Sequence, residues 1–515
     1  MAKDKRPGID EFPMEFFEKH WEIVKEDVVG AIMEFFNTIK LLKEVSCTTI
    51  TLIPKVNTPN QVNDFRPIAC CSTIYKLITK VLTNRITPVI GTLVSHSQTA
   101  FIEGRSITDN ILFSHELLKW YTRKGLSPKC TMKVDLRKAY DSIEWEFLAK
   151  LLVGLGFPFK FVNWVMECIS TVSYSLIING GLTSLFQGIR GIRQGDPVSP
   201  YLFILVMEYL QRELNVLKKI PQFKFHPRCK QFGLMHICFA NDLLMFCKVD
   251  IDSIQLMQDA FQRFFVVSGL QANTEKSSIY VTGVKPDLKQ KILATLGYVE
   301  SEMPFKYIGV PISSKKLTVA QCMPLVEKIT ERIRCWIVRL LSYVGRIQLL
   351  KSVVFGMQTY WAQIFVLPKR IMKLIKGVCR TYLWTGSTLS SRKALVSWEK
   401  LCLSKSARGQ NLVNLQVWNI AAILKLLWAV HEKKDCLSIK WVHTCYIKGK
   451  EVEHCPIPKS ATWVIRKILE TRKILRPILN PSDLGSKLKG VVKANKFSIH
   501  QMYIKLTPQH PKVSW

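Results

Sequence analysis

Apolar residues recur at helical spacing through the opening of the chain: Phe12, Phe16, Phe17, Trp21 and Val24, then Val28, Ile32, Phe35 and Phe36, with acidic residues between them. That pattern predicts an amphipathic helical pair over 12–45, laid against a core. A β-rich run from Thr48 to Pro54 reads as a strand, and a turn segment, Asn57 to Asn63, follows it. Residues 66–125 read as mostly helical. KCTMKVDL (129–136) is strand-like, and SYSLIINGGLTSLF (173–186) has hairpin character across Gly180 and Gly181. A long apolar helix is expected over 198–218, after a Gly-Asp-Pro turn. GLMHICFANDLLMFCKV (233–249) reads as two strands flanking a tight polar turn. Past about 315 the pattern changes to helices with basic faces over 317–342, 345–357, 368–383 and 413–433, and it thins from 434 to 515. The first domain boundary is expected near 313–318.

Length and charge sharpen this picture. A chain of 515 residues points to two or three domains. Its 48% hydrophobic and 22% charged content excludes disorder and collagen-like structure. The 73 Lys and Arg exceed the 39 Asp and Glu, a net charge of +34. Residues 1–310 hold 37 basic and 30 acidic side chains, whereas residues 311–515 hold 36 and 9. The first part is balanced like a globular enzyme, and the second has the charge of a segment that grips a polyanion, most simply nucleic acid. A solvated basic face is the alternative.

The fifteen cysteines contain no C-x-x-C pair, Met1 to Phe12 is too charged for a signal peptide, and Glu208 and Lys425 interrupt the longest apolar runs. An intracellular, reduced protein of nucleus or cytoplasm is expected, with no membrane partner. His443, Cys445, His454 and Cys455 have no usual zinc spacing and read as incidental.

Two carboxylate-bearing strand motifs stand 107 residues apart. Asp135 ends the strand in KVDLRKAYD, ahead of Ala139, Tyr140 and Asp141; Asn241 and Asp242 occupy the strand–turn–strand tip of CFANDLLMF. Two-metal phosphoryl transfer needs carboxylates from two such elements side by side, with the ions about 3.5–4 Å apart. Mg²⁺ takes hard oxygen ligands, which Asp supplies and neutral Asn supplies poorly. Taken singly, an Asp at a strand end is more often a cap or a turn residue. Between the two motifs lies RGIRQGDPVSPYLF (190–203). There Gly191 and Gly195 allow close backbone approach, Gln194 can pair with a planar base or template, and Pro197 and Pro200 set the start of the next helix.

Taken in order, these segments resemble the reverse transcriptases of non-LTR retrotransposons, specifically plant LINE-type elements. KRPGIDEF (5–12) is similar to that family's K-x-P-G-x-D-G-F lead-in, and IPKVNTPNQVNDFRPIACCSTIYKLITKVLTNRI (53–86) to its fingers block. SQTAFIEGRSITDNI (97–111), KVDLRKAYD, RGIRQGDPVSP, FAND (239–242), SGLQANTEKS (268–277) and YIGVPI (307–312) follow in the family's order. Similarity continues through LSYVGRIQLLKSVV (341–354), FVLPK (365–369), LWTG (383–386) and WNIAAILKLLWAV (418–430), nearly the whole chain.

The resemblance implies an α+β right-hand polymerase. Residues 1–45 would be a helical extension of the fingers, 46–313 the fingers and a palm with an antiparallel sheet, 314–433 a helical thumb and connector, and 434–515 a basic C-terminal region. It implies RNA-directed DNA polymerase activity, with two Mg²⁺ (or Mn²⁺) ions and an RNA template, a DNA primer and deoxynucleoside triphosphates as partners. Asp135 and Asp242 would be metal ligands. Tyr140 would be the steric gate under the incoming sugar, and Gln194 and Gly195 would line the template–nucleotide pocket. Arg66 would meet the triphosphate and Lys276 the departing pyrophosphate, surface charge being the alternative for both.

The chain departs from the family at Asn241, where a second hairpin carboxylate is usual. This copy is therefore expected to be impaired, and a non-catalytic nucleic-acid-binding relic is the rival reading. Glu11 replaces the lead-in glycine, and LCLSKSARGQNL (401–412) stands where relatives carry P-K-x-x-G-G-L-G. The copy is expected to be fragmentary, without the upstream endonuclease and the C-terminal zinc region.

Overall fold

The computed structural model describes residues 7–508 apart from 57, 120, 122–127, 314, 338–340, 390, 392, 476–487, 489 and 495. Lys5 and Arg6 of the lead-in lie outside the described residues, as do those parts of the expected 317–342 helix and 434–515 region. The chain divides into two units, residues 1–106 with 124–301, and residues 107–123 with 302–515.

The first unit opens with α1 (Met14–Lys19), α2 (Trp21–Thr38) and α3 (Lys43–Ser46). The expected helical pair is present because Phe17, Val28, Phe35 and Phe36 fall on one buried stripe. Strand β1 (Thr48–Pro54) has the expected bounds, but residues 65–71 are not helical: FRPIACC forms β2 (Phe65–Cys71), antiparallel to β1 with Ile50 opposite Ala69. β2 is an edge strand. The Ala69 amide turns outward to the Gln194 carbonyl at 2.9 Å, so Pro67, two residues earlier, faces the side where no strand requires a donor. Helix α4 (Thr73–Leu93) follows, capped by the Ser72 side chain. Helix α5 (Ile107–Leu117) belongs to the second unit.

Strand β3 (Lys129–Val134) leads to α6 (Trp145–Gly154), α7 (Phe159–Ser170) and the hairpin of β4 (Ser173–Ile178) with β5 (Gly181–Leu182) and β6 (Phe186–Gln187). β4 runs parallel to β1 and completes the first sheet. The apolar helix α8 (Ser199–Val216) is nearly the one expected, and β7 (His236–Phe239) and β8 (Asp242–Lys248) form the expected tight hairpin. After α9 (Ile251–Ser268), β9 (Ser278–Thr282), α10 (Pro286–Leu296) and β10 (Val299–Glu300), the second sheet has the order β10-β9-β3-β8-β7. Its β9–β3–β8–β7 run is antiparallel.

In the second unit, α11 (Val319–Ile337) packs on α14 (Lys369–Thr385). Between them the expected 345–357 helix is α12 (Tyr343–Leu349) and α13 (Phe355–Ala362), joined by one widened π turn at Leu350–Val354. Past α15 (Trp398–Leu401) and α16 (Leu415–His431), the thin pattern after 434 conceals α17 (Leu437–Val442) and α18 (Trp463–Glu470). α5 docks here through a buried carboxylate. Glu116 accepts from Trp441 Nε1 at 3.2 Å, the Tyr446 hydroxyl at 2.5 Å and the Thr462 hydroxyl. Among the described residues no helix is long and apolar enough to cross a membrane.

Candidate active site

β3 and β8 run antiparallel with Val134 opposite Leu243, so the next register step sets Asp135 opposite Asp242. Residues so opposed hold their Cβ atoms about 4.5–5.5 Å apart. The two aspartates expected to converge across 107 residues of chain are therefore cross-strand neighbours. Their direction follows from the pleat. Cys130, Met132 and Val134 of β3, with Leu243, Met245 and Cys247 of β8, all enter the buried core. The alternate positions, Lys133, Asp135 and Asp242, thus share the opposite face.

The Asp242 carboxyl lies above the usual carboxylate range, chiefly because it is buried. The Lys133 ammonium opposes the rise and the Asp135 charge adds to it. Two acids in this position are costly without a cation. Their hard oxygens fit a divalent ion, although among the described residues no group of three His, Cys, Asp or Glu could hold a metal. At the tip, where the family has a further carboxylate, stands the amide of Asn241, half-buried in the two-residue turn Ala240–Asn241 that closes on the Phe239–Asp242 pair.

The backbone of Asp135 is tied to the motif at 268–277. Its amide donates to Ser277 Oγ at 3.1 Å, and its carbonyl accepts from the Asn273 amide at 2.7 Å. Lys276 itself is exposed at this turn.

Tyr140 stacks on Phe203 with ring centroids 5.0 Å apart and planes at 12°, and burial pushes its hydroxyl up to about 12. The 190–200 loop holds it, since the Ile192 amide donates to the Tyr140 carbonyl at 2.8 Å. Both loop glycines are needed for close approach. Gly191 has φ +88°, and an added Cβ would lie 2.8 Å from the Asp141 carbonyl oxygen. Gly195 has φ +123°, and its Cβ would lie 2.9 Å from the Ala69 carbonyl oxygen.

Beneath the loop is a buried polar knot. Asp196 accepts from the Tyr75 hydroxyl at 3.0 Å and from the Val198 amide at 3.2 Å. Arg193 lies 4.0 Å over the Tyr75 ring and donates to the Ser46 carbonyl at 2.9 Å. Burial raises the Asp196 carboxyl, and the Arg193 charge opposes the rise.

Tyr140, Gln194 and Gly195 line one cavity of about 580 Å³, together with Lys76, Lys80, Phe101 and Tyr201. Asp135, Asp242 and Lys276 do not line it, and Arg66 projects exposed from β2 outside it. Sequence reasoning missed Lys76 and Lys80. Their four-residue spacing on α4 places both on one face, and a helical projection of the fingers block shows the pair.

The family described as reverse transcriptase (RNA-dependent DNA polymerase) matches residues 53–312. The Transposon TX1 uncharacterized 149 kDa protein of Xenopus laevis is 26% identical over 396 residues, covering 75% of this chain and 29% of that protein. The Pol polyprotein of type-2 retrotransposable element R2DM of Drosophila melanogaster is 27% identical over 296 residues, 55% of this chain and 27% of that protein. The chain thus spans under a third of the length of these two relatives. A telomerase structure from Candida tropicalis, in complex with a telomeric RNA fragment, aligns over 82% of this chain and 68% of that one at 14% identity and TM-score 0.39. With half of the chain matched by the family and its relatives named as retrotransposon proteins, this α+β chain belongs to the reverse transcriptase (RNA-dependent DNA polymerase) family, of the non-LTR retrotransposon kind.

Proposed function

We propose that the chain is the polymerase portion of a plant LINE-type retrotransposon protein, built for RNA-templated DNA synthesis and impaired by Asn241. The observation that carries the reading is the opposition of Asp135 and Asp242, both half-buried, on one face of the second sheet, in the same unit as a cavity walled by Tyr140, Gln194 and Gly195. Asp135 and Asp242 would hold divalent ions, Mg²⁺ or Mn²⁺, two when active. Such ions supply charge neutralisation at the nucleotide phosphates and a more acidic primer hydroxyl.

The chain's own groups do the rest. Tyr140, rigid against Phe203, presents its ring edge to the sugar of an incoming deoxynucleotide and leaves no room for a 2′-hydroxyl. Gln194 and Gly195 form the surface on which the templating base is read. Lys76 and Lys80 bring ammonium groups to the cavity wall and would draw in triphosphate. Arg66 and Lys276 keep their family roles in this reading, toward the triphosphate and the departing pyrophosphate. The surplus of 36 bases over 9 acids in residues 311–515 would track the phosphates of template and primer.

A second reading has its own observation. Asn241 leaves the site one carboxylate short, so a nucleic-acid-binding relic without catalysis is the alternative. Primer extension on an RNA template, with Mg²⁺ and with Mn²⁺, separates the two. Extension that depends on Asp135 supports the polymerase; duplex binding without extension, even after Asn241→Asp, supports the relic.

A further inference from the structure

The catalytic-hairpin turn is held by a side chain from outside the hairpin. Ala240 has φ +52°, a left-handed conformation that costs a residue bearing a Cβ about 1–2 kcal/mol. Gln98, 2% exposed, meets this strained residue. Its Oε1 accepts from the Ala240 amide at 3.0 Å and from the Ala100 amide at 3.0 Å, and its Nε2 donates to the Ala240 carbonyl at 3.4 Å. One amide thus satisfies both backbone groups of the residue that precedes Asn241 and Asp242.

The segment bearing Gln98 is itself fixed. It bridges β7 in parallel at Cys238, with the Cys238 amide donating to the Ser97 carbonyl at 2.8 Å and the Thr99 amide to the Cys238 carbonyl at 3.2 Å. Ser97 Oγ donates to Gln211 of α8 at 2.7 Å. Arg105 donates to the Gln98 carbonyl at 2.7 Å and to the Val94 carbonyl at 2.8 Å. Helices α4 and α8 therefore hold the segment that bears Gln98, which joins the hairpin through the Cys238 backbone and, at the turn itself, through the Gln98 side chain.

We propose that Gln98 is a positioning residue. By clamping Ala240 in its left-handed conformation, it fixes where the 241–242 dipeptide projects its oxygens toward the ions shared with Asp135. This rests on the polymerase reading above for its catalytic consequence, but the clamp stands on geometry. Outer contacts of this kind commonly contribute about 10–100-fold in metal affinity or activity.

The test compares Gln98→Leu, which removes acceptor and donor, with Gln98→Glu, which keeps the acceptor for the two 3.0 Å bonds. Three quantities are read in the Asn241→Asp background: amide exchange at Ala240, Mn²⁺ affinity by electron paramagnetic resonance, and RNA-templated extension. Gln98→Leu should speed Ala240 exchange and weaken Mn²⁺ by at least about tenfold. It should lower kcat while leaving KM for the deoxynucleotide unchanged, because Gln98 does not line the nucleotide cavity. Gln98→Glu should restore most of the exchange protection and Mn²⁺ affinity. Should Gln98→Leu fail to fold, Gln98→Asn, whose amide is one methylene short, is read the same way. Unchanged Ala240 exchange and Mn²⁺ affinity in the folded variant would overturn the clamp. Absence of extension in every form would count against the polymerase reading, and Ala240 exchange would still decide the clamp.

Discussion

Restoring a carboxylate at position 241 is the most informative single change. Asn241→Asp nearly preserves shape, so its effects are electrostatic. The new charge would lie next to Asp242 in the turn, one residue from the position opposite Asp135. Like charges roughly 6 Å apart repel by about 2–3 kcal/mol at an effective dielectric constant near 20. Partial exposure and the Lys133 ammonium reduce this to about 1 kcal/mol, or about 2 °C in the melting temperature of a unit this size.

The sign with pH follows from Asp242, whose carboxyl is already raised by burial. The folded chain binds that proton more tightly than the unfolded chain, so stability present in acid is lost as pH rises through the raised value. The deficit of Asn241→Asp should be full at pH 7, shrink as pH falls through the raised value, and be gone below about pH 4. Mg²⁺ at a hundredfold excess over its dissociation constant contributes about 2.7 kcal/mol and should reverse the order of melting temperatures. RNA-templated extension should rise at least about a hundredfold, again about 2.7 kcal/mol, and Asp135→Asn in that background should abolish the gain. Calorimetry with and without Mg²⁺, paired with primer extension, reads both arms. Vigorous synthesis by the unmodified chain, or a melting order that Mg²⁺ leaves unchanged, would refute the reasoning.

Gly195→Ala combines positive φ with a Cβ 2.9 Å from the Ala69 carbonyl oxygen, and should cost about 1–3 kcal/mol by chemical denaturation. A cost under 0.5 kcal/mol would mean that the loop can move aside. Asp196→Asn replaces the buried carboxylate that accepts from the Tyr75 hydroxyl and the Val198 amide, and about 1–3 kcal/mol of destabilisation is expected in the same assay. His226 and His236 are buried and held neutral, at about 3 and about 4, so the first unit should take up two protons on unfolding. Its melting temperature should therefore fall as pH drops from 6.5 toward 4, a trend that His226→Gln should flatten. Exchanging Lys369, Arg370, Lys373 and Lys376 of α14 for Gln should weaken binding to an RNA–DNA duplex and flatten its salt dependence by about 0.9 per lost phosphate contact; an unchanged slope in a salt titration would identify them as a solvated face.

Much of the site was legible because its signals are local. A strand ending in Asp135, a tight hairpin carrying Asp242 and glycines at 191 and 195 each state their geometry within ten residues of sequence. Strand β2 was not legible, because Pro67 argues against a strand unless one knows that its outward side has no partner. Gln98 lies in a segment that the resemblance marks, yet its role was not legible, because it depends on a contact 142 residues away. Lys76 and Lys80 share a helical face that the fingers block shows, but packing alone reveals that this pair, among 73 bases, faces a cavity.

Helix α5 has a consequence for how this chain is made. It is synthesised between β2 and β3, yet Glu116 finds the Trp441 indole only 325 residues later. At 5–20 residues per second a nascent chain carries that helix unpaired for roughly 15–65 s. During that wait its apolar stripe and its carboxylate both lack their final surroundings. The second unit is threaded through the first in sequence, so it cannot be gained or lost by a simple cut near residue 313. A message interrupted before codon 441 leaves this helix without its Trp441 partner, a ready substrate for chaperones and proteases.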